Sequence, residues 1–252
     1  MQVARIRPEA ADVDPAAASY LRFLVGSDPS RVVYATEDAV LAIGADGAAV
    51  LGPRRGRAMT AAMGAALARA ALEPFVFAMG PQDGVRGFVE GRGWKRLAAS
   101  QEMLFSFDPS ARSALRPTSA QLRAPSTGGA LSSPFDAWMD AFVRELFAGP
   151  TRPPLVSAAE LWTMWEGDTP VSMAGALNRG DDAIRIVTVY TPPELRGRGY
   201  ASALVAGIAT SVAVRGVRYV TLDYSLESSP SPRTAYERAG FRPTIITERW
   251  SA

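Results

Sequence analysis

The 252-residue chain contains no cysteine and no histidine. Without cysteine there is no disulfide, no thiolate nucleophile and no thiolate metal ligand, an absence that suits a reducing compartment. Without histidine there is no imidazole base and no ordinary zinc site, so no metal is expected. Proton transfer is left to carboxylates, tyrosines and water. Lysine is reduced to Lys95, so nearly all positive charge is arginine. An excess of one sign is missing too: the 27 basic and 25 acidic side chains, net +2, divide almost evenly between residues 1–112 and 113–252. A grip on nucleic acid asks for a basic arm or face, so no nucleic-acid partner is expected. No apolar run approaches the roughly 20 residues of a membrane span, and an N-terminus carrying Glu9, Asp12 and Asp14 does not read as a signal peptide. We expect a soluble, cytoplasmic protein with no membrane partner, its oligomeric state left open.

What is there centres on residues 184–212. Ile184 to Tyr190 is β-branched and aromatic, as a buried strand is, and Pro192-Pro193 stops it because proline offers no N–H to a ladder. Arg196-Gly197-Arg198-Gly199 then leads into Ala201, Leu204, Val205, Ile208 and Val212, the spacing of one helical face. A strand, a short glycine-bearing loop and a helix N-terminus aim free backbone N–H groups and the positive end of a helix dipole at one point. That point suits a phosphate.

The stretch Val-Tyr-Thr-Pro-Pro-Glu-Leu-Arg-Gly-Arg-Gly-Tyr-Ala, followed by Ala235-Tyr236-Glu237-Arg238-Ala239-Gly240-Phe241, resembles the GNAT superfamily of acyl-CoA-dependent N-acyltransferases. The first part is similar to that family's pyrophosphate loop, the second to its terminal tyrosine-bearing helix end. The resemblance implies an α/β (α+β) protein of the GNAT fold, a mixed and mostly antiparallel sheet flanked by helices. It implies acetyl-CoA as acyl donor and a small-molecule or peptide amine as acceptor. Arg196, Gly197, Arg198, Gly199, Tyr200 and Ala201 map onto the diphosphate cradle. Val187 and Val189 map onto the strand edge that pairs with the pantetheine amides. Tyr236 matches the tyrosine that protonates departing CoA; an ordinary phenol, with pKa about 10, is protonated at neutral pH as a donor must be. Seven residues earlier, where many members carry a CoA-holding asparagine, this chain has Ser229.

The remaining segments fit that order. From Glu160 the pattern reads β-β-β-α-β-α-β, with a hairpin turning on Glu166-Gly167-Asp168-Thr169-Pro170. Ser132/Ser133-Pro134 opens a helix to about Phe147, with Trp138 and Phe142 either plain core or bordering an acceptor cleft. Residues 15–25 suit a helix, 32–35, 39–43, 48–51 and 75–79 strands, 57–72 and 81–91 helices, and 94–107 paired strands. Because this half echoes the other, we expect two tandem domains: 1–112 degenerate and GNAT-like, 113–252 acyl-CoA-binding, with a linker near 108–117. Gly52-Pro53-Arg54-Arg55-Gly56-Arg57 stands where a second loop would be, as a decayed version or a basic surface turn. Glu160, Asp223 and Glu227 are candidates for the base. The expected reaction is direct attack of a primary amine on acetyl-CoA in a ternary complex. A catalytically silent acyl-CoA-binding protein of the same fold is the alternative, and a loop that grips RNA a third, predicting salt-dependent RNA affinity indifferent to CoA.

Overall fold

The computed structural model of the chain describes residues 1–14, 21, 25, 30–54, 57–108, 119–126, 134–146, 160–178, 182–228 and 232–252. Contacts divide the chain into two compact units, residues 1–103 with 223–231 and 243–252, and residues 104–222 with 232–242. The expected linker falls almost wholly outside the described residues, as does the helix expected at 15–25 apart from Leu21 and Val25.

Unit 1 contains strands β1 (Ala4–Ile6), β2 (Val32–Ala35), β3 (Ala39–Ile43), β4 (Ala48–Pro53), β5 (Phe77–Pro81) and β6 (Lys95–Phe105), with helices α1 (Ala61–Ala70) and α2 (Gln82–Val89). Strands β1 to β4 form an antiparallel meander, and β5 joins β4 in parallel. Every residue of β3 is buried because both faces are covered. Leu41 and Ile43 meet Leu67 of α1 and Phe88 of α2, while Val40 and Ala42 meet Leu21 and Val25. Side chains alternate across a strand, so an unbroken apolar run marks a sheet packed on both sides. A single strand, Lys95–Phe105, stands in place of the pair expected over 94–107, since none of the usual turn residues glycine, proline, asparagine or aspartate lies within it.

The helices of unit 1 touch backbone to backbone. A Cβ on Gly64 would lie 1.8 Å from the Gly84 carbonyl oxygen, and one on Gly87 2.0 Å from that of Ala61. Only glycine fits these positions. The last strand, β12 (Phe241–Ser251), pairs antiparallel with β5, Glu248 opposite Gly80. Glu248 is 1% exposed. Its carboxylate accepts from Arg86 Nε (3.0 Å) and Nη2 (2.7 Å), Gln82 Nε2 (3.3 Å) and Trp250 Nε1 (3.0 Å). A buried charge needs such partners, so this cluster fastens the end of the chain to α2.

Unit 2 contains β7 (Gln121–Ser126), α3 (Phe135–Leu146), β8 (Glu160–Glu166), β9 (Thr169–Asn178), β10 (Ala183–Tyr190), α4 (Tyr200–Ala213), most of β11 (Tyr219–Ser225) and α5 (Arg233–Arg238). Its strands run in the order β11-β10-β9-β8-β7, antiparallel except that β10 and β11 are parallel. Chain order from β8 is the expected β-β-β-α-β-α-β. Successive residues of β7 mark the two faces. Leu122 approaches α4 at Gly207, and the Arg123 guanidinium lies 3.8 Å over the Trp165 ring, which packs with Phe135 of α3. Helices α3 and α4 therefore cover opposite faces.

Candidate functional site

Strand β10 carries the site because it leaves its partners early. Its parallel ladder with β11 ends at Arg185 and Thr221, although β10 continues to Tyr190. On its other side the register with β9 shifts between Val187 and Tyr190, and buried Thr188 there has φ +53°. An extra residue of this kind bends a strand and leaves ladder groups unpaired. Val187 and Val189, both half-buried, lie on this departing segment.

The strand exit is pinned from β9. Ser172 Oγ donates to the Tyr190 carbonyl at 2.9 Å and lies 2.9 Å from Thr191 Oγ1. Pro193–Leu195 makes one tight turn, and Gly197 (φ +80°) and Gly199 (φ +91°) then take left-handed backbone that side chains with a Cβ rarely adopt. A Cβ on Gly197 would meet nothing within 4 Å. Conformation, with open space beside it, explains that glycine.

Helix α4 begins at Tyr200 with Gly199 as its cap. Gly199 has no side chain to satisfy the first-turn N–H groups, and no acidic residue stands in that turn. Helix starts ordinarily recruit Ser, Thr, Asp or Asn to accept from those donors. Here the donors and the positive dipole end are left to whatever enters the loop, and an anion is what fits. Tyr200 is buried and Ala201 half-buried.

The two loop arginines part company. Arg196 Nε donates to the Thr191 carbonyl at 2.9 Å, and its Nη2 reaches both oxygens of Glu145 at 3.0 and 2.8 Å. Arg198 is exposed and leans the other way, toward Tyr200 and Glu166. The Tyr200 hydroxyl donates to Glu166 Oε2 at 2.9 Å, and Ser119 Oγ to Oε1 at 2.6 Å. Those two bonds, Ser119 first, with the charge of Arg198, hold the Glu166 carboxyl below its ordinary pKa. The same bond to Glu166, helped by burial, pushes the Tyr200 phenol up.

Tyr236 is 6% exposed on α5, 6.4 Å centroid to centroid from Phe241. Ser229 lies outside the described residues. Of the candidate bases, Glu160 pairs with Arg215 at 3.4 Å. Glu227 accepts from Ser225 Oγ at 2.8 Å and Arg96 at 3.0 Å, and the serine bond above all lowers its pKa. A carboxylate held this way is a poor proton acceptor near neutrality. Asp223 is half-buried on β11. Trp138 and Phe142 are half-buried, Trp138 edge-on to Phe135 at 5.5 Å and 6.1 Å from Tyr190. Sequence reasoning missed Glu145, Glu166 and Ser172, whose partners stand far along the chain, so no local pattern announces them.

Residues 147–249 match the model of the acetyltransferase (GNAT) domain family. That stretch, less than half of the chain, is similar to a GNAT domain. Solved structures agree on the GNAT fold. A GCN5-related N-acetyltransferase from Kribbella flavida is 16% identical, with TM-score 0.59, over 98% of this chain and 95% of that one. A GCN5-related N-acetyltransferase from Sphaerobacter thermophilus is 17% identical, TM-score 0.52, over 100% and 95%. A tandem GNAT protein from the clavulanic acid biosynthesis pathway is 14% identical, TM-score 0.51, over 100% and 98%. At these identities the likeness is one of fold. No curated protein matches the chain.

The start of α4 is suited to an anionic group such as a diphosphate. The space beside Gly197 is open, and the donors at the start of α4 have neither a capping side chain nor an acidic neighbour.

Proposed function

We propose that the protein is an N-acetyltransferase that moves the acetyl group of acetyl-CoA to a primary amine by direct attack in a ternary complex. The observation that carries this reading is the uncapped start of α4 at Gly199, set behind a strand that has left its parallel partner. Acetyl-CoA supplies an acyl carbon already activated as a thioester. The chain supplies position and charge. Backbone N–H groups at the start of α4, with Arg198, hold the diphosphate, and the open edge at Val187 and Val189 pairs with the pantetheine amides. A bound neutral amine attacks the thioester carbonyl, the C–N bond forming as the C–S bond breaks and the amine proton passing to water. Holding the amine in place is a gain of orientation. Tyr236 gives its hydroxyl proton to the departing thiolate. No covalent enzyme intermediate is needed, consistent with a chain that has no cysteine.

A second reading, a silent acyl-CoA-binding protein, draws support from the engagement of Glu160 and Glu227 in ion pairs. Turnover separates the two. Acetyl-CoA consumption with a panel of primary amines, lost in Tyr236→Phe while CoA still binds, supports the enzyme. CoA uptake without turnover for any amine supports the silent protein. Location in the cytoplasm remains part of this proposal; among the described residues, no helix is long and apolar enough to cross a membrane.

A further inference from the structure

The two arginines of the loop sit two residues apart, yet the structure gives them different surroundings. Arg196 has one donor on the Thr191 carbonyl and another on both Glu145 oxygens, with its guanidinium carbon 5.8 Å from the Tyr190 ring centre. Both side chains of the ion pair are a little over two-fifths exposed, so the pair is reachable by solvent and modest in strength. Its placement is informative. Glu145 stands in the last turn of α3, where a negative charge opposes the helix dipole. A carboxylate at that position is tolerated best with a cation beside it, and Arg196 is that cation. Below it, Phe135 and Met139 of α3 are buried against Leu161, Met173 and Tyr190. Arg198, by contrast, is exposed and acts on Tyr200 at the start of α4 and on Glu166 at the end of β8.

We infer that Arg196 is a positioning residue for α3, anchored by Glu145, and that Arg198 alone of the two supplies charge to the diphosphate. Arg196 fastens the C-terminal turn of α3 to the exit of β10, and with it the aromatic wall of Trp138 and Tyr190 on that face. The loop therefore has two outputs, one toward the cofactor and one toward the helix that packs over the same strand end. This rests on the reading of the loop as an acyl-CoA cradle.

The test measures both outputs in the full chain. CoA affinity is read by calorimetry and the placement of α3 by hydrogen exchange of amides 135–146, in wild type, R196Q, E145Q and R198Q. The expected result is that R196Q and E145Q each speed exchange in α3 at least threefold and change the CoA Kd less than threefold. R198Q is expected to weaken CoA at least tenfold and to leave α3 unchanged. With an amine substrate from the panel, R196Q should raise KM for the amine and R198Q KM for acetyl-CoA. The inference is overturned if R196Q weakens CoA as much as R198Q, if E145Q tightens CoA by releasing Arg196 to the phosphates, or if α3 exchange is unmoved in both pair variants. A wild type that takes up no CoA would remove the cradle reading, while the exchange measurements would still decide whether Arg196 and Glu145 hold α3.

Discussion

The two units each send a parallel strand pair into a basic, glycine-bearing loop and then a helix, and they finish that junction differently. In unit 2 the helix starts at a glycine with nothing to cap it. In unit 1 the start of α1 is capped by Thr60, whose Oγ1 accepts from Met63 N at 3.4 Å. The described arginines of that junction, Arg54 and Arg57, are engaged as well. Arg54 Nη1 donates to the Thr36 carbonyl at 3.4 Å, and Arg57 Nε sits 3.2 Å from Asp38. Met59 is buried, its sulfur where a Cβ on Gly84 would stand. Strands β4 and β5 also stay close beyond their last ladder pair, since a Cβ on Gly80 would lie 2.8 Å from that of Leu51. A strand, loop and helix make an anion site when the helix start is left uncapped. The same arrangement with a capping side chain is a packed corner.

This comparison predicts that glycine substitutions in the two units break different properties. The largest effect should come from removing residues 243–252, which takes away the partner of β5 and leaves Arg86 facing the site of a missing carboxylate. We expect unit 1 to lose cooperative unfolding, followed by circular dichroism on heating. Next, Gly64→Ala places a methyl group against the Gly84 carbonyl with no flexible side chain to yield. It should cost about 3 kcal/mol in urea denaturation without changing CoA affinity per folded molecule. Gly199→Val has the opposite profile: a β-branched residue forced toward φ +91° unmakes the loop, so CoA binding should fall at least about thirtyfold with stability down by only about 1–2 kcal/mol.

A smaller effect concerns pH. Because the folded pKa of Glu166 is depressed, its bonds to Ser119 and Tyr200 contribute stability above the unfolded value of about 4.3 and lose it as pH falls through the lower folded one. The midpoint-temperature gap between wild type and Glu166→Gln should be present at neutral pH and close in acid. A gap that persists unchanged below about pH 3 would assign the effect to packing instead.

Much of unit 2 was legible because its signals are local. Pro192-Pro193 ends a strand, two glycines permit the turn, and a 3.6-residue apolar period follows; all three reside within about twenty positions of one another. The hairpin around Gly167 reads for the same reason. What closed the loop region off from sequence reasoning was pairing across distance. Arg196 and Glu145 are 51 positions apart, and Tyr200 and Glu166 are 34. Spacing can place an arginine in a loop, but its guanidinium turns to whichever carboxylate the fold brings near. The basic loop before α1 was ambiguous in sequence because the cap that distinguishes it, a single threonine hydroxyl, is common in any chain. The strand at Lys95–Phe105 was misread as two because composition suggests length only weakly.

The central claim is that the main-chain donors at the start of α4 receive a diphosphate while the corresponding junction of unit 1 receives none. Titration of CoA into the full chain by calorimetry tests it directly. The account predicts one CoA per chain, lost in Gly199→Val and retained when Thr60 is changed to alanine. Uptake of two CoA per chain, or of one that survives Gly199→Val, would contradict it.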